Sequence, residues 1–311
     1  MGMVPTNQVS AQSKVWDGTY DISWYDSKAA YFEIHTPEQF AGMFKLIGEY
    51  DVTFEGVTIR LCEDIYLNKT GFQPSDSEVN VIRRVNYGTA FRGIFDGNGN
   101  TIYNVYTTKN ESKYTSIFGG LVGAIIKNLT IDGFYGVDQG GSTTLGILTT
   151  NTTSSQITNV QIKNSYTKYK YTGSKSAAIY VGAISGMLSG SVENCTVENT
   201  TIECNLEEPS YEVYMGILVG MSQNKTINNC HVTNSTLEVK GKAYGYVGGL
   251  IGYGSTGTPE NSFALTGIKD SGCDNIKILI ETVLEETGAT LYVGGVSGYQ
   301  NATVDGGYAY G

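Results

Sequence analysis

Basic residues are scarce in this sequence. Twenty Lys and Arg face 30 Asp and Glu, a formal net charge of −10, and the pI is near 4.7. Only Arg60, Arg83, Arg84 and Arg92 are arginines. A nucleic-acid binder carries a basic stripe, so nucleic acid is excluded as a partner. The same anionic surface repels phosphate and acidic polysaccharide. No apolar run reaches the roughly 18 residues that span a bilayer as a helix, so no integral membrane span is expected. Proline is rare, at five, and without a three-residue period the glycines do not make collagen. Histidine is limited to His35 and His231, and Cys62, Cys195, Cys204, Cys230 and Cys273 form no CxxC. That argues against a structural zinc site and against a disulfide framework. No GxSxG elbow, GxxxxGK[ST] cradle or helix-opening GxGxxG is present. No signal peptide is visible. Met1–Thr6 fits the bare myristoylation pattern, which a start codon or an expression leader also produces.

Glycine and tyrosine are abundant instead. The 40 glycines are about 13% of 311 residues, against about 7% in ordinary proteins, and there are 23 Tyr against 10 Phe and 2 Trp. The glycines fall in a repeat. It reads Phe118-Gly-Gly-Leu-Val-Gly123, Leu145-Gly-Ile-Leu148, Val181-Gly-Ala-Ile-Ser-Gly186, Met215-Gly-Ile-Leu-Val-Gly220, Val247-Gly-Gly-Leu-Ile-Gly252 and Val293-Gly-Gly-Val-Ser-Gly298. The first glycines lie 27, 36, 34, 32 and 46 residues apart. A second motif follows the first five at a nearly fixed distance, with Asn128, Asn159, Asn194, Asn229 and Asn261 at its head. Two fixed-distance strands per unit, with variable loops between, mark a solenoid whose strands stack in parallel about 4.8 Å apart. Stacked Asn can then bond amide to amide, and glycine is expected at corners that need positive φ. The second copy has Thr149-Thr150 where others have x-Gly, which predicts a looser loop. Tyr180, Tyr214, Tyr246 and Tyr292 all precede the apolar-Gly step and are expected to form a column. That column reads either as scaffold stacking or as a ligand-stacking strip.

Residues 1–90 do not repeat. Thr36-Pro37-Glu38-Gln39 is an N-cap, an N1 proline and a capping-box glutamine, and Phe40, Met43, Phe44 and Ile47 share one helical face. These predict a helix over about 37–48 whose apolar face covers the first coil. Val57–Leu61 and Asp64–Leu67 read as strands leading into the stack. Asp96-Gly-Asn-Gly-Asn100 imitates the start of a calcium loop, but Thr107 stands where the bidentate Glu belongs, so a tight turn is expected. Cys195 and Cys230 hold equivalent repeat positions and are expected to stack in the core.

Trp16-Asp-Gly18, Phe32-Glu-Ile-His-Thr-Pro-Glu-Gln-Phe40, Phe91-Arg-Gly-Ile-Phe-Asp-Gly-Asn-Gly-Asn-Thr-Ile102 and the Gly-Gly-Leu-Val-Gly units together resemble the GLUG-motif repeat family. These are bacterial secreted or surface adhesin-like proteins, some of them repeat regions attached to immunoglobulin A peptidases. The resemblance covers about residues 15–300. It implies a β-helix-like fold and an extracellular or cell-surface address, and it carries over no catalytic residue.

The sequence therefore predicts an all-β parallel β-helix with an N-terminal cap containing one short α-helix. Residues 1–14 read as a disordered or expression-derived leader, 15–90 as cap and lead-in strands, and 91–311 as about six repeats continuous with the cap. The expected function is non-catalytic: an adhesin-like surface protein binding a host or neighbour glycan or protein, with no metal or cofactor. Tyr166, Tyr169 and Tyr171, placed in a loop between coils and on one side of it, are the candidate ligand-binding residues. The alternatives are a carbohydrate-active β-helix enzyme, a polysaccharide lyase or glycosidase, and a purely structural stalk. After Gly298 no helix or charged cap follows. The tail is expected either to pack across the last coil or to leave an end for a further domain or partner.

Overall fold

The structure is a computed structural model, and it describes residues 14–75, 80–81, 89–108, 116–172, 177–223, 226–255, 267–282, 289–300 and 303–310. Leader residues 1–13 with the myristoylation pattern, Arg83, Arg84 and the fifth Asn copy at 260–265 lie outside the described residues, while Lys14 pairs with Glu38 of the cap at 2.7 Å.

The chain winds as a parallel β-solenoid with three faces. Among the described residues a long face is a 15-stranded sheet, a second has 9 strands and a third has 6. One coil shows the path. Ser185–Leu188 lies on the six-stranded face, and Gly190–Glu193 and Thr196–Glu198 on the long face. Thr201–Gly216 follows on the nine-stranded face, and Val219–Gln223 returns to the first. Ser185 pairs with Val219, the offset that also separates Gly182 from Gly216. The repeat spacing is thus the coil length.

Strand alternation fills the interior with columns of like residues. One column runs Phe32, Ile59, Phe95, Ile126, Ile157, Val192, Ile227, Ile268 and Val304, each the register partner of the next. From Ile59 to Ile227 every member is at most 1% exposed. Burying each such side chain contributes about 1.5–3 kcal/mol. The column begins in Tyr31–Ile34 and Thr58–Leu61, so the strands preceding the repeats are already rungs of the same stack.

Two corner columns hold asparagine, not glycine, in the left-handed region. Asn128, Asn159, Asn194 and Asn229 have φ of 55, 55, 52 and 49°; Asn164, Asn199, Asn234 and Asn275 lie between 47 and 52°. Asparagine accepts this conformation where other side chains resist it, and stacking adds amide bonds. The Asn159 Nδ2 donates to Asn128 Oδ1 at 3.1 Å, Asn229 to Asn194 at 2.7 Å and Asn275 to Asn234 at 2.7 Å. In the first copy Gly119 and Gly123 do take positive φ, 64 and 62°, while the glycines of the later copies serve close approach. A Cβ on Gly182 would lie 2.6 Å from both Ser185 O and Val219 Cα, and one on Gly220 2.6 Å from Gly186 O and Val181 N. The second copy is not loose. Thr149–Thr153 is a strand, and the buried Thr149 hydroxyl donates to Gly119 O.

The cap follows its sequence signals, with one extension. The helix runs Pro37–Tyr50; the Thr36 side chain accepts from Gln39 N, while Gln39 Oε1 accepts from His35 N at 2.9 Å. It ends at Asp51, whose φ of 56° makes the left-handed cap, so Gly48 is an interior position. Phe40 and Phe44 meet Phe95 and Phe118, joining helix and coils in one core. At the other end the tail does not cross the last coil. Thr303–Asp305 and Tyr308–Tyr310 add in register onto Gly267–Lys269 and Gly272–Asp274 as a further rung. No described helix is long and apolar enough to cross a membrane.

Candidate functional site

The three tyrosines expected to bind a ligand do not share a surface. Tyr166–Tyr171 is a strand of the nine-stranded face, paired on both sides, not a loop. Positions 166 and 169 are three apart, so alternation sends them to opposite faces. Tyr169 and Tyr171 point inward, 0% and 2% exposed, and Tyr171 packs edge-on against Tyr211. Tyr166 alone faces out, and its hydroxyl donates to Glu203 Oε2 while its ring packs 5.1 Å from Tyr135. Burial and the Glu203 carboxylate push its phenol well above the usual tyrosine value.

Glu203 is the centre of that cluster. Lys168 Nζ sits 2.8 Å from it, and the Lys168 and Tyr166 hydrogen bonds hold its carboxyl below the usual glutamate range. A lowered folded value stabilises the fold above the unfolded glutamate value near ~4.3 and loses that contribution as pH falls through the folded value. Glu203→Gln is therefore expected to lower Tm near neutrality, and the gap to wild type should close as pH falls from above the unfolded glutamate value through the lower folded one. Thermal melts of both proteins across that range check it, and a gap that stays constant with pH would contradict the assignment.

The outward tyrosine column is present. Tyr180, Tyr214, Tyr246 and Tyr292 are register partners, with ring centroids 5.0, 5.6 and 5.3 Å apart and interplanar angles of 12, 32 and 13°. A second column stands beside it on the six-stranded face: Asn151, Met187, Met221, Tyr253 and Tyr299. The two columns touch, Tyr246 lying 5.0 Å from Tyr253 and 5.5 Å from Tyr299. Glycine makes this possible. A Cβ on Gly220 would lie 2.7 Å from Tyr214 O, and one on Gly252 2.4 Å from Met215 N, so the two faces meet backbone to backbone at this corner.

The second column escapes a reading by residue type because Asn, Met and Tyr do not look like one repeat position. Its signal is positional. Met187, Met221, Tyr253 and Tyr299 each follow the last glycine of their motif. Where the column passes through Asn151, Met187 and Met221, an open groove of about 240 Å³ runs across three coils. Asn151, Thr152, Thr153, Met187, Leu188, Ser189, Met221 and Gln223 line it. Thr152 is engaged, its hydroxyl accepting from Ser189 N at 2.9 Å.

No protein-family model matches this chain, and no curated protein matches it in sequence. Among solved structures it is similar to one from Bacteroides ovatus, provisionally named an immunoglobulin A1 protease. The likeness covers 88% of this chain and 83% of that one, at 16% identity and a TM-score of 0.42.

Chemically, the face offers contact more than reaction. Stacked rings spend their π-faces on one another and show the solvent edges and hydroxyls. Tyr214 donates its hydroxyl to Glu212 at 2.6 Å, and burial with that bond raises its phenol, so it stays protonated. Glu203 and Glu238 do stack in register, but each is held by its own lysine, Lys168 and Lys240. A general acid needs a raised value, and that of Glu203 is lowered. The remaining candidates are structural. Asp96 accepts from Asn98 N at 2.9 Å and from Asn128 Nδ2 at 3.0 Å, with Lys127 at 3.3 Å, as a turn anchor. Cys195 and Cys230 are buried free thiols in contact, and burial pushes Cys195 well up.

Proposed function

We propose that the chain is a non-catalytic, adhesin-like surface repeat protein that binds an uncharged stretch of host or neighbour glycan or protein along the groove face. One observation carries the reading: none of the eight groove-lining residues is ionisable. Amides and hydroxyls there can orient a neutral polymer by hydrogen bonds, and the Met187 and Met221 thioethers with the adjoining tyrosines supply adaptable apolar contact. A lyase or glycosidase would instead place carboxylates or a carboxylate–Arg cluster in that groove. The surface address rests on the GLUG-like motifs.

The test is a glycan array and a matrix-protein array probed with the full chain, followed by the double variant Met187→Asp, Met221→Asp. The two side chains are half-buried register partners, so the paired carboxylates cost some stability; with the variant shown folded by its melt at the assay temperature, affinity for any captured partner should fall at least about tenfold, roughly 1.4 kcal/mol. Equal binding by the variant removes the groove from the reading. Turnover of any polysaccharide on the array overturns the non-catalytic assignment.

A further inference from the structure

At the other end of the molecule, pairing of the first two rungs brings together three residues that no sequence motif joins. Glu33 is the register partner of Arg60, and Cys62 N donates to Ile34 O at 2.8 Å. Alternation then puts Glu33, His35 and Cys62 on the outer side of the long face. One donor atom from each lies within 4.8 Å of the other two, and His35 Nε2 is 3.5 Å from Glu33 Oε2. A tetrahedral ion with bonds of about 2.0–2.3 Å spaces its ligands by roughly 3.3–3.8 Å. The cluster is close to that size before any ion draws it in.

We propose that Glu33, His35 and Cys62 form a three-ligand site for zinc or a similar borderline divalent cation, with the fourth position open to solvent. The donor set is one imidazole, one thiolate and one carboxylate, each a zinc ligand and together unsuited to calcium or magnesium, which take oxygen alone. The surroundings hold the ligands in place, as outer partners do in metal sites. The Tyr31 hydroxyl donates to Glu33 Oε1 at 2.9 Å, leaving Oε2 on the His35 side. The His35 backbone is tied to Gln39 at the start of the helix. Arg60 donates to Asn98 Oδ1 at 2.5 Å toward the next rung and also hydrogen-bonds the Tyr31 hydroxyl, so its guanidinium stands beside the donor cluster and lends a thiolate at Cys62 some support. On binding, the Cys62 thiol releases its proton to solvent and the ion exchanges hydration waters for the three donors. The consequence is mechanical. Among the described residues Tyr31–Ile34 is the edge strand of the long face, paired on one side only, and an ion shared with Cys62 clips that strand and the following helix to the second rung.

The experiment uses the reduced full chain without any histidine tag, titrated anaerobically with cobalt(II) and then zinc(II). The four other cysteines are fully buried, so Cys62 is the thiolate in reach. A thiolate-to-cobalt charge-transfer band should saturate at one ion per chain, vanish when zinc is added and be absent in Cys62→Ser. His35→Ala and Glu33→Gln should each weaken zinc at least about tenfold, and zinc should raise the Tm of wild type but not of Cys62→Ser. All three side chains lie at the surface, so the metal-free Tm of the variants should match wild type and show them folded. The proposal is overturned if no band appears, if the band survives in Cys62→Ser, or if zinc binds His35→Ala and Glu33→Gln as it binds wild type.

Discussion

Gly216→Ala is expected to cost the protein about 3 kcal/mol or more and to lower Tm by about 6–12 °C. The reason is a single added carbon. A Cβ at position 216 would lie 2.2 Å from Val219 O, 2.7 Å from Ile251 Cα and 2.7 Å from Leu250 O. All three are on the main chain, one in the same corner and two in the next coil, so no side chain can rotate away. Relief requires the corner to open, and that breaks the bonds Ile217 N and Leu218 N make to Gly249 O and Leu250 O. The comparison is Gly123→Ala. Gly123 has φ of 62° but no atom within 4 Å of its would-be Cβ, so the change costs only the left-handed penalty of about 1–2 kcal/mol. Thermal unfolding followed by circular dichroism measures both. Equal losses would show that conformation, not close approach, is what these glycines provide.

That contrast marks where sequence reasoning reached and where it stopped. The coil period was readable because the corner admits only glycine, so the spacing from Gly182 to Gly216 repeats as the pairing of Ser185 with Val219. The helix was readable because Thr36, Pro37 and Gln39 are local signals that need no tertiary partner. Which residue does which job was harder. Glycine was expected to take positive φ, and Gly119 and Gly123 do, but Asn194 and Asn229 do so as well and also bond to each other; only stacking shows that the amide has a partner one coil away. Tyr169 and Tyr171 were expected at the surface because their segment reads as a loop between coils, but it is a paired strand of the nine-stranded face that turns both rings inward, 0% and 2% exposed. The groove column, legible only as the position after each motif's last glycine, and the Glu33–His35–Cys62 cluster were missed for one reason. Each joins unlike residues from different coils, and only the register makes them neighbours.

Phe118→Ala tests whether the cap and the coils are one cooperative unit. Phe118 is 0% exposed, with its ring centroid 5.2 Å from Phe95, 5.6 Å from Phe91 and 6.1 Å from Phe44. Phe44 belongs to the helix, Phe91 and Phe95 to the rung beneath it, and Phe118 opens the first glycine motif. Truncating a buried Phe costs about 3–5 kcal/mol through lost transfer energy and the cavity left behind. Here the cavity sits where helix and stack meet. Coils contact only their neighbours, so damage at one junction is transmitted along the stack only as far as the interfaces couple. The expected result is a Tm drop comparable to that of Gly216→Ala, with early proteolytic cleavage near Pro37–Tyr50. Val293→Ala, at a side chain 52% exposed on the last rung, should shift stability by no more than about 0.5 kcal/mol. If Phe118→Ala proved as mild, the aromatic contacts would not be what fastens the helix. If it lowered Tm without exposing the helix to protease, cap and solenoid would unfold together, and the nine-rung interior column would behave as a single core from Phe32 onward.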